Sequence, residues 1–237
     1  KVLEKEIRDT TNRLITLQTA QGVFNESNIK TIGKMTDIFK KRNVFLKRKS
    51  VLNNLTFFLK NNDMLPAIAF VFSRKNVESC AKEVDTILLE DDSKIPYIVR
   101  RESEQIIRRL PNFKEYLELP EYSSLMALLE KGIGIHHSGM IPVLREIVEL
   151  FISKKYIKLL FATESFSIGL DCPIKTAVFT GIRKFDGLQD RFLLSHEYTQ
   201  MAGRAGRRGI DTVGHVFHCN NLFELPATVD YKNMLTG

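Results

Sequence analysis

AIAFVFSRK (67–75) sets six apolar residues directly against a hydroxyl and two cations. A short run of this kind, bounded abruptly by polar residues, fits a strand buried on both faces whose carboxyl end opens toward solvent or a ligand. Four further runs repeat the form: IGIHH (133–137), IKLLFAT (157–163), TAVFTGI (176–182) and GHVFHC (214–219), with Val, Ile and Phe dominant. Between them lie amphipathic stretches at about 76–90, 104–131, 142–154 and 195–204. That alternation predicts an α/β fold with a mainly parallel sheet and helices on both faces. Residues 91–122 are rich in charge and hold Pro96, Pro111 and Pro120. They read as a surface insertion on the second connection, since connections within the core are usually shorter.

The chain has 237 residues, 43% of them apolar, enough for one large domain or two small ones with a core. Its apolar runs fall well short of the ~20 residues that a spanning helix needs, so no membrane partner is expected. Cys80, Cys172 and Cys219 are widely spaced, which fits reduced thiols in a cytoplasmic or nuclear setting. The net charge of +7 is carried by residues 1–60, whose densest basic stretch is KKRNVFLKRK (40–49). That stretch suits either a phosphate-tracking surface or a solvated helix face.

Ligands of open parallel sheets bind beyond the carboxyl ends of the strands. Four runs end in polar, small or cationic residues there: Ser73-Arg74-Lys75, His137-Ser138-Gly139, Thr163-Glu164-Ser165 and Arg183-Lys184. Such side chains suit a row of phosphates, and they equally suit ordinary helix N-caps.

GRAGRRG (203–209) favours phosphate, because glycine inside a helix costs about 1 kcal/mol relative to alanine and a merely solvated basic helix has no need of it. A helix continued from His196 would set Gln200, Gly203, Arg204 and Arg207 on one stripe. The planar guanidinium fork grips phosphate oxygens as lysine cannot. An RGG-like nucleic-acid tail has similar composition but belongs to disordered segments. His215, His218 and Cys219 are close in sequence, yet on a strand 215 and 219 face opposite to 218, which argues against a shared metal ion.

YTQMAGRAGRRG (198–209) resembles motif VI of superfamily 2 helicases and FATESFSIGLDCP (161–173) their motif V. GIGIHHSGMIPVLREIVELF (132–151), ATESFSIGLDCPIKTAVFT (162–180) and RKFDG (183–187) are similar to the DExH RNA helicases of the superkiller and exosome-cofactor group, and FVFSRKNVESCA (70–81) resembles that group's motif IV. Over about 67–220 the resemblance implies the second RecA-like domain, with a three-layer α/β/α fold, of an ATP-driven motor moving 3′ to 5′ along single-stranded RNA.

By this resemblance Arg204 and Arg207 reach the ATP phosphates, Gln200 helps to place them and Arg207 is the arginine finger. Gly169 and Asp171 stand beside the nucleotide. Ser73, Arg74, His137, Ser138, Gly139 and Thr163 line the RNA path.

No G-x-x-x-x-G-K-[ST] loop and no Asp-Glu-x-His box occurs in the 237 residues. The expected organisation is therefore a basic, helical linker over 1–60, the RecA-like domain over 61–225 with its insertion, and a connection to a following domain over 226–237. The upstream RecA-like domain would hold most of the Mg2+ contacts, and an RNA-degradation complex is an expected partner. On this expectation the fragment alone is inactive. A related DNA motor and a non-catalytic RNA-binding scaffold are the alternatives.

Overall fold

The computed structural model describes residue 5, residues 13–163 and residues 173–237. Five of its strands form one sheet: β1 (Ala67–Phe70), β2 (Ile133–His136), β3 (Leu159–Ala162), β4 (Thr176–Phe179) and β7 (His215–His218). The order is β2-β3-β1-β4-β7 and every pairing is parallel. All five predicted strands are present. In the first four, every residue is buried, as expected when helices cover a sheet on both faces, whereas edge strand β7 is partly open. The result is an α/β domain of the RecA-like kind.

Helix α1 (Glu26–Lys41) is capped by the Asn25 side chain, which accepts the Asn28 N–H at 3.2 Å. Helix α2 (Arg48–Asn61) buries Leu52, Thr56 and Leu59, so part of the basic amino-terminal region belongs to the core. Its basic residues are partly spent locally: Arg48 grips Glu83 through Nε and Nη2, at 2.8 and 2.7 Å, and Lys49 pairs with Asp85. After β1 comes α3 (Arg74–Glu83), followed by α4 (Ile95–Ile107), α5 (Phe113–Glu118) and α6 (Pro120–Leu129).

The surface-loop reading of 91–122 is overturned here. Val99, Ile107 and Tyr122 are buried in the core, and α4 packs against α5, α6 and α7 (Pro142–Ser153). Pro96 and Pro120 punctuate helices rather than a loop: each stands in the first turn of its helix, where a missing N–H costs nothing.

Beyond β4 the chain makes a hairpin, β5 (Arg183–Phe185) with β6 (Asp190–Phe192), then α8 (Ser195–Ala202), β7 and α9 (Thr228–Thr236). Asp186 and Gly187 form the turn: the Asp186 carboxylate accepts the N–H groups of Leu188 and Gln189, and Gly187 sits at φ +97°. Arg191 ties the hairpin to α8 through Glu197 at 2.7 Å and to Asp186 at 3.1 Å. Lys184 also pairs with Glu197. Burial pushes the Glu197 carboxyl up, but Arg191, Lys184 and the Leu194 N–H outweigh it and hold it at about 2.

An aromatic column fills the space under β4. Phe179 meets Phe70, Tyr198 and His218 at centroid distances of 5.3, 4.8 and 5.3 Å, and Tyr231 stacks on His218. Both His218 nitrogens are engaged, Nε2 with the Tyr198 hydroxyl at 2.8 Å and Nδ1 with that of Tyr231. Burial lowers the His218 pKa to about 4, so the ring is neutral and serves as a core bracket.

Candidate functional site

The sequence-predicted residues fall into two groups, at opposite ends of the same sheet. Ser73, directly after β1, caps α3 by accepting the Asn76 N–H at 3.4 Å. Arg74 leaves the first turn of that helix and donates from Nη2 to Ser138 Oγ at 2.7 Å. Ser138 follows β2, so one hydrogen bond joins the ends of two strands that are not neighbours. Thr163, at the end of β3, is buried, and its N–H donates to the His136 carbonyl at 3.2 Å. Arg74, Ser138 and Gly139 are exposed, and together they make a small polar surface over the carboxyl ends of β1, β2 and β3.

His137 supports that surface from below. Its Nδ1 accepts the Gly139 N–H at 3.1 Å, which requires the proton to sit on Nε2, and Nε2–H donates to Glu78 Oε1 at 3.1 Å. The ring is buried and both nitrogens are occupied, so it shapes the 137–139 turn instead of offering a free donor to a ligand. Gly139 has little room for a side chain: a Cβ there would stand 3.1 Å from Arg74 Cδ and 3.2 Å from His137 Nδ1.

The arginines lie at the other end. Helix α8 stops at Ala202 with Gly203 as its C-cap, so Gln200, Gly203, Arg204 and Arg207 do not form one helical stripe as the sequence predicted. The exposed Gln200 stays on the last turn of the helix, while Arg204 and Arg207 occupy the loop beyond it. Gly206 ends any continuation, because it adopts φ +92° and donates its N–H to the Lys175 carbonyl at 3.0 Å, just before β4. What comes close to these glycines is the chain itself: a Cβ on Gly214 would stand 2.3 Å from the Ala205 carbonyl oxygen. Since Gly214 leads into β7, the loop is fastened to the amino ends of β4 and β7. Strands of four residues put roughly 13 Å between this end and the Arg74–Ser138 surface.

Arg207 is held firmly. Its Nε and Nη2 donate to Asp211 Oδ2 and Oδ1 at 2.9 and 3.0 Å, and its backbone N–H donates to Oδ2 at 2.7 Å. The Arg207 hydrogen bonds pull the Asp211 carboxyl down to about 2, and Asp211 in turn raises the guanidinium above its usual range. Asp211 is the residue that the sequence reading missed, although an acid four places after an arginine in a glycine-rich turn is a usable signal. Gly169 and Asp171 lie outside the described residues.

No family profile matches the chain. It is 43% identical over 162 residues to antiviral helicase SKI2 of Saccharomyces cerevisiae, covering 67% of this chain and 12% of that protein. The chain is a homologue of the DExH-box RNA helicases. It is 45% identical over 149 residues to the DExH-box ATP-dependent RNA helicase DExH9 of Arabidopsis thaliana, covering 63% of this chain and 15% of that protein. A broader match, 36% over 215 residues and 89% of this chain, is to DExH11 of the same plant, of which the chain spans 16%. The chain therefore corresponds to a small part of each of these helicases. Among the described residues no helix is long and apolar enough to cross a membrane.

Proposed function

We propose that this chain provides the second RecA-like domain of an ATP-dependent 3′–5′ RNA helicase, contributing arginines to the nucleotide at one end of its sheet and an RNA-backbone surface at the other. The observation that carries the reading is the separation of the two residue groups to opposite ends of one parallel sheet. A cleft to an upstream RecA-like domain at the arginine end would be completed by ATP with Mg2+. There the triphosphate supplies the bond whose hydrolysis drives the motor.

The donor set suits such a ligand. Arg207 uses two of its five guanidinium N–H groups on Asp211, which leaves a fork for phosphate oxygens. Arg204 lies in the same loop, and Gln200 on the preceding helical turn positions it. Gly169 and Asp171 complete the nucleotide side in this reading, with Mg2+ held mainly by the upstream domain. Among the described residues no cluster of three or more His, Cys, Asp or Glu could hold a metal ion. That chemistry also makes the domain inactive by itself, because the phosphate loop and the Asp-Glu-x-His box must come from elsewhere.

At the other end, Arg74, Ser138, Gly139 and Thr163 follow a single-stranded RNA backbone, with Ser73 and His137 setting the turns that present them. Arg74 supplies the charge and Ser138 the neutral donor, an arrangement that positions a phosphate without reading sequence. An RNA-degradation assembly in a cytoplasmic or nuclear compartment is the setting that this activity implies.

Arg74→Ala tests the RNA surface. Each phosphate contact to single-stranded RNA contributes about 0.7 to the slope of log affinity against log salt. Titrating the full-length helicase and its Arg74→Ala variant with a labelled single strand at several salt concentrations should give weaker binding and a slope smaller by about that amount. An unchanged slope would remove Arg74 from the phosphate path.

A further inference from the structure

The carboxylate of Asp211 has no role of its own in the reading above, yet it accepts three hydrogen bonds from Arg207. One oxygen accepts both the backbone N–H and the Nε–H of Arg207, and the other accepts from Nη2. Because the backbone bond anchors the carboxylate to the residue whose side chain it grips, the guanidinium plane is fixed relative to its own turn. Both side chains are partly buried, at 23% and 18% exposure. The neighbouring charges are Lys175, which attracts Asp211, and Asp63, which attracts Arg207. Lys175 is itself bound to Asp63, by its carboxylate at 3.2 Å and its carbonyl at 2.9 Å.

Side-on binding through Nε and Nη2 leaves three N–H groups, two of which, one on Nη1 and one on Nη2, form the end-on edge of the guanidinium. Among the described residues that edge has no recorded acceptor. A long, flexible side chain has thus been ordered in advance with its phosphate-binding edge unspent.

We propose that Asp211 is a positioning residue for Arg207, presetting the guanidinium so that closure on a nucleotide delivers an aligned fork. The proposal rests on Arg207 being an ATP-phosphate ligand. It opposes a simple charge argument, in which the carboxylate partly cancels the arginine and its removal would speed hydrolysis. Alignment outweighs that cancellation because a fork displaced by about 1 Å can lose on the order of 100-fold in rate.

The test measures kcat and KM for ATP at saturating RNA in the full-length helicase carrying Asp211→Asn, Asp211→Glu or Arg207→Ala. Asparagine keeps an oxygen for the Arg207 backbone N–H and Nε–H but turns an amide NH2 toward Nη2, so the turn persists while the second bond that sets the guanidinium plane is lost. Asp211→Asn should lower kcat by about 10- to 100-fold while the KM for ATP, RNA affinity and thermal midpoint stay near wild type. Asp211→Glu should recover part of the loss. A kcat at or above wild type in Asp211→Asn overturns the proposal, as does a loss matched by a fall in thermal midpoint. If Arg207→Ala is dead and Asp211→Asn is normal, the positioning role alone fails. If Arg207→Ala hydrolyses ATP at the wild-type rate, the reading of Arg207 fails and takes the proposal with it.

Discussion

Arg207→Lys in the full-length helicase should reduce ATP turnover by about 10³-fold or more, the scale seen when an arginine that stabilises a transferring phosphoryl group is lost. Lysine keeps the positive charge, so a purely electrostatic role would survive the change. What it cannot keep is the double engagement: Arg207 satisfies both oxygens of Asp211 through Nε and Nη2 and retains a second edge, whereas an ammonium is a compact point charge without a planar fork. RNA affinity should stay within about twofold, because the Arg74–Ser138 surface lies at the opposite end of the sheet, roughly 13 Å away. Steady-state hydrolysis and RNA titration of the same preparation check both halves. Turnover close to wild type would remove Arg207 from the finger role.

Phe179→Ala should cost about 3–5 kcal/mol of stability, the usual range for emptying a buried aromatic site. Phe179 is fully buried, and its ring is shared by Phe70 from β1, Tyr198 from α8 and His218 from β7. Its loss would leave a void between the sheet and the helix that carries Gln200. In a domain of this size the thermal midpoint should fall by about 10 °C. Phe179→Leu should recover a large part of that fall, and a shift of less than about 2 °C for the alanine variant would show that the column contributes little.

How far the sequence could be read depended on what each segment buries. The strands were legible because every residue of β1 to β4 is covered, which makes their runs continuous and apolar. Residues 91–122 were misread because their prolines look like breakers and their charge looks like surface. Proline in a first turn starts a helix instead, and Val99 and Ile107 carry the packing. The 183–192 hairpin was missed despite Asp186-Gly187, a dipeptide that favours tight turns.

At the candidate site, the residue types were legible and their placement was not. Ser73, Arg74, Ser138 and Thr163 stand within a few residues of the carboxyl ends of β1, β2 and β3, so their position on the sheet could be read from the strand runs. Those runs say nothing of Arg204 and Arg207, which follow a helix and are placed by a tertiary contact, Gly206 bonding to Lys175 beside the close pass of Gly214. The glycines read as room for a ligand are largely room for backbone. The His137 brace was also illegible, since it depends on Glu78 from a helix 59 residues earlier in the chain.

On the proposed function, this domain supplies arginines to a nucleotide site whose phosphate loop its 237 residues do not contain. The most direct measurement is RNA-stimulated ATP hydrolysis by the purified 237-residue chain, set beside the same chain joined to a RecA-like domain that carries a phosphate loop. No turnover by the isolated chain, and RNA-stimulated turnover by the joined form that vanishes with Arg207→Lys, is the predicted result. RNA-stimulated turnover by the isolated chain would contradict it.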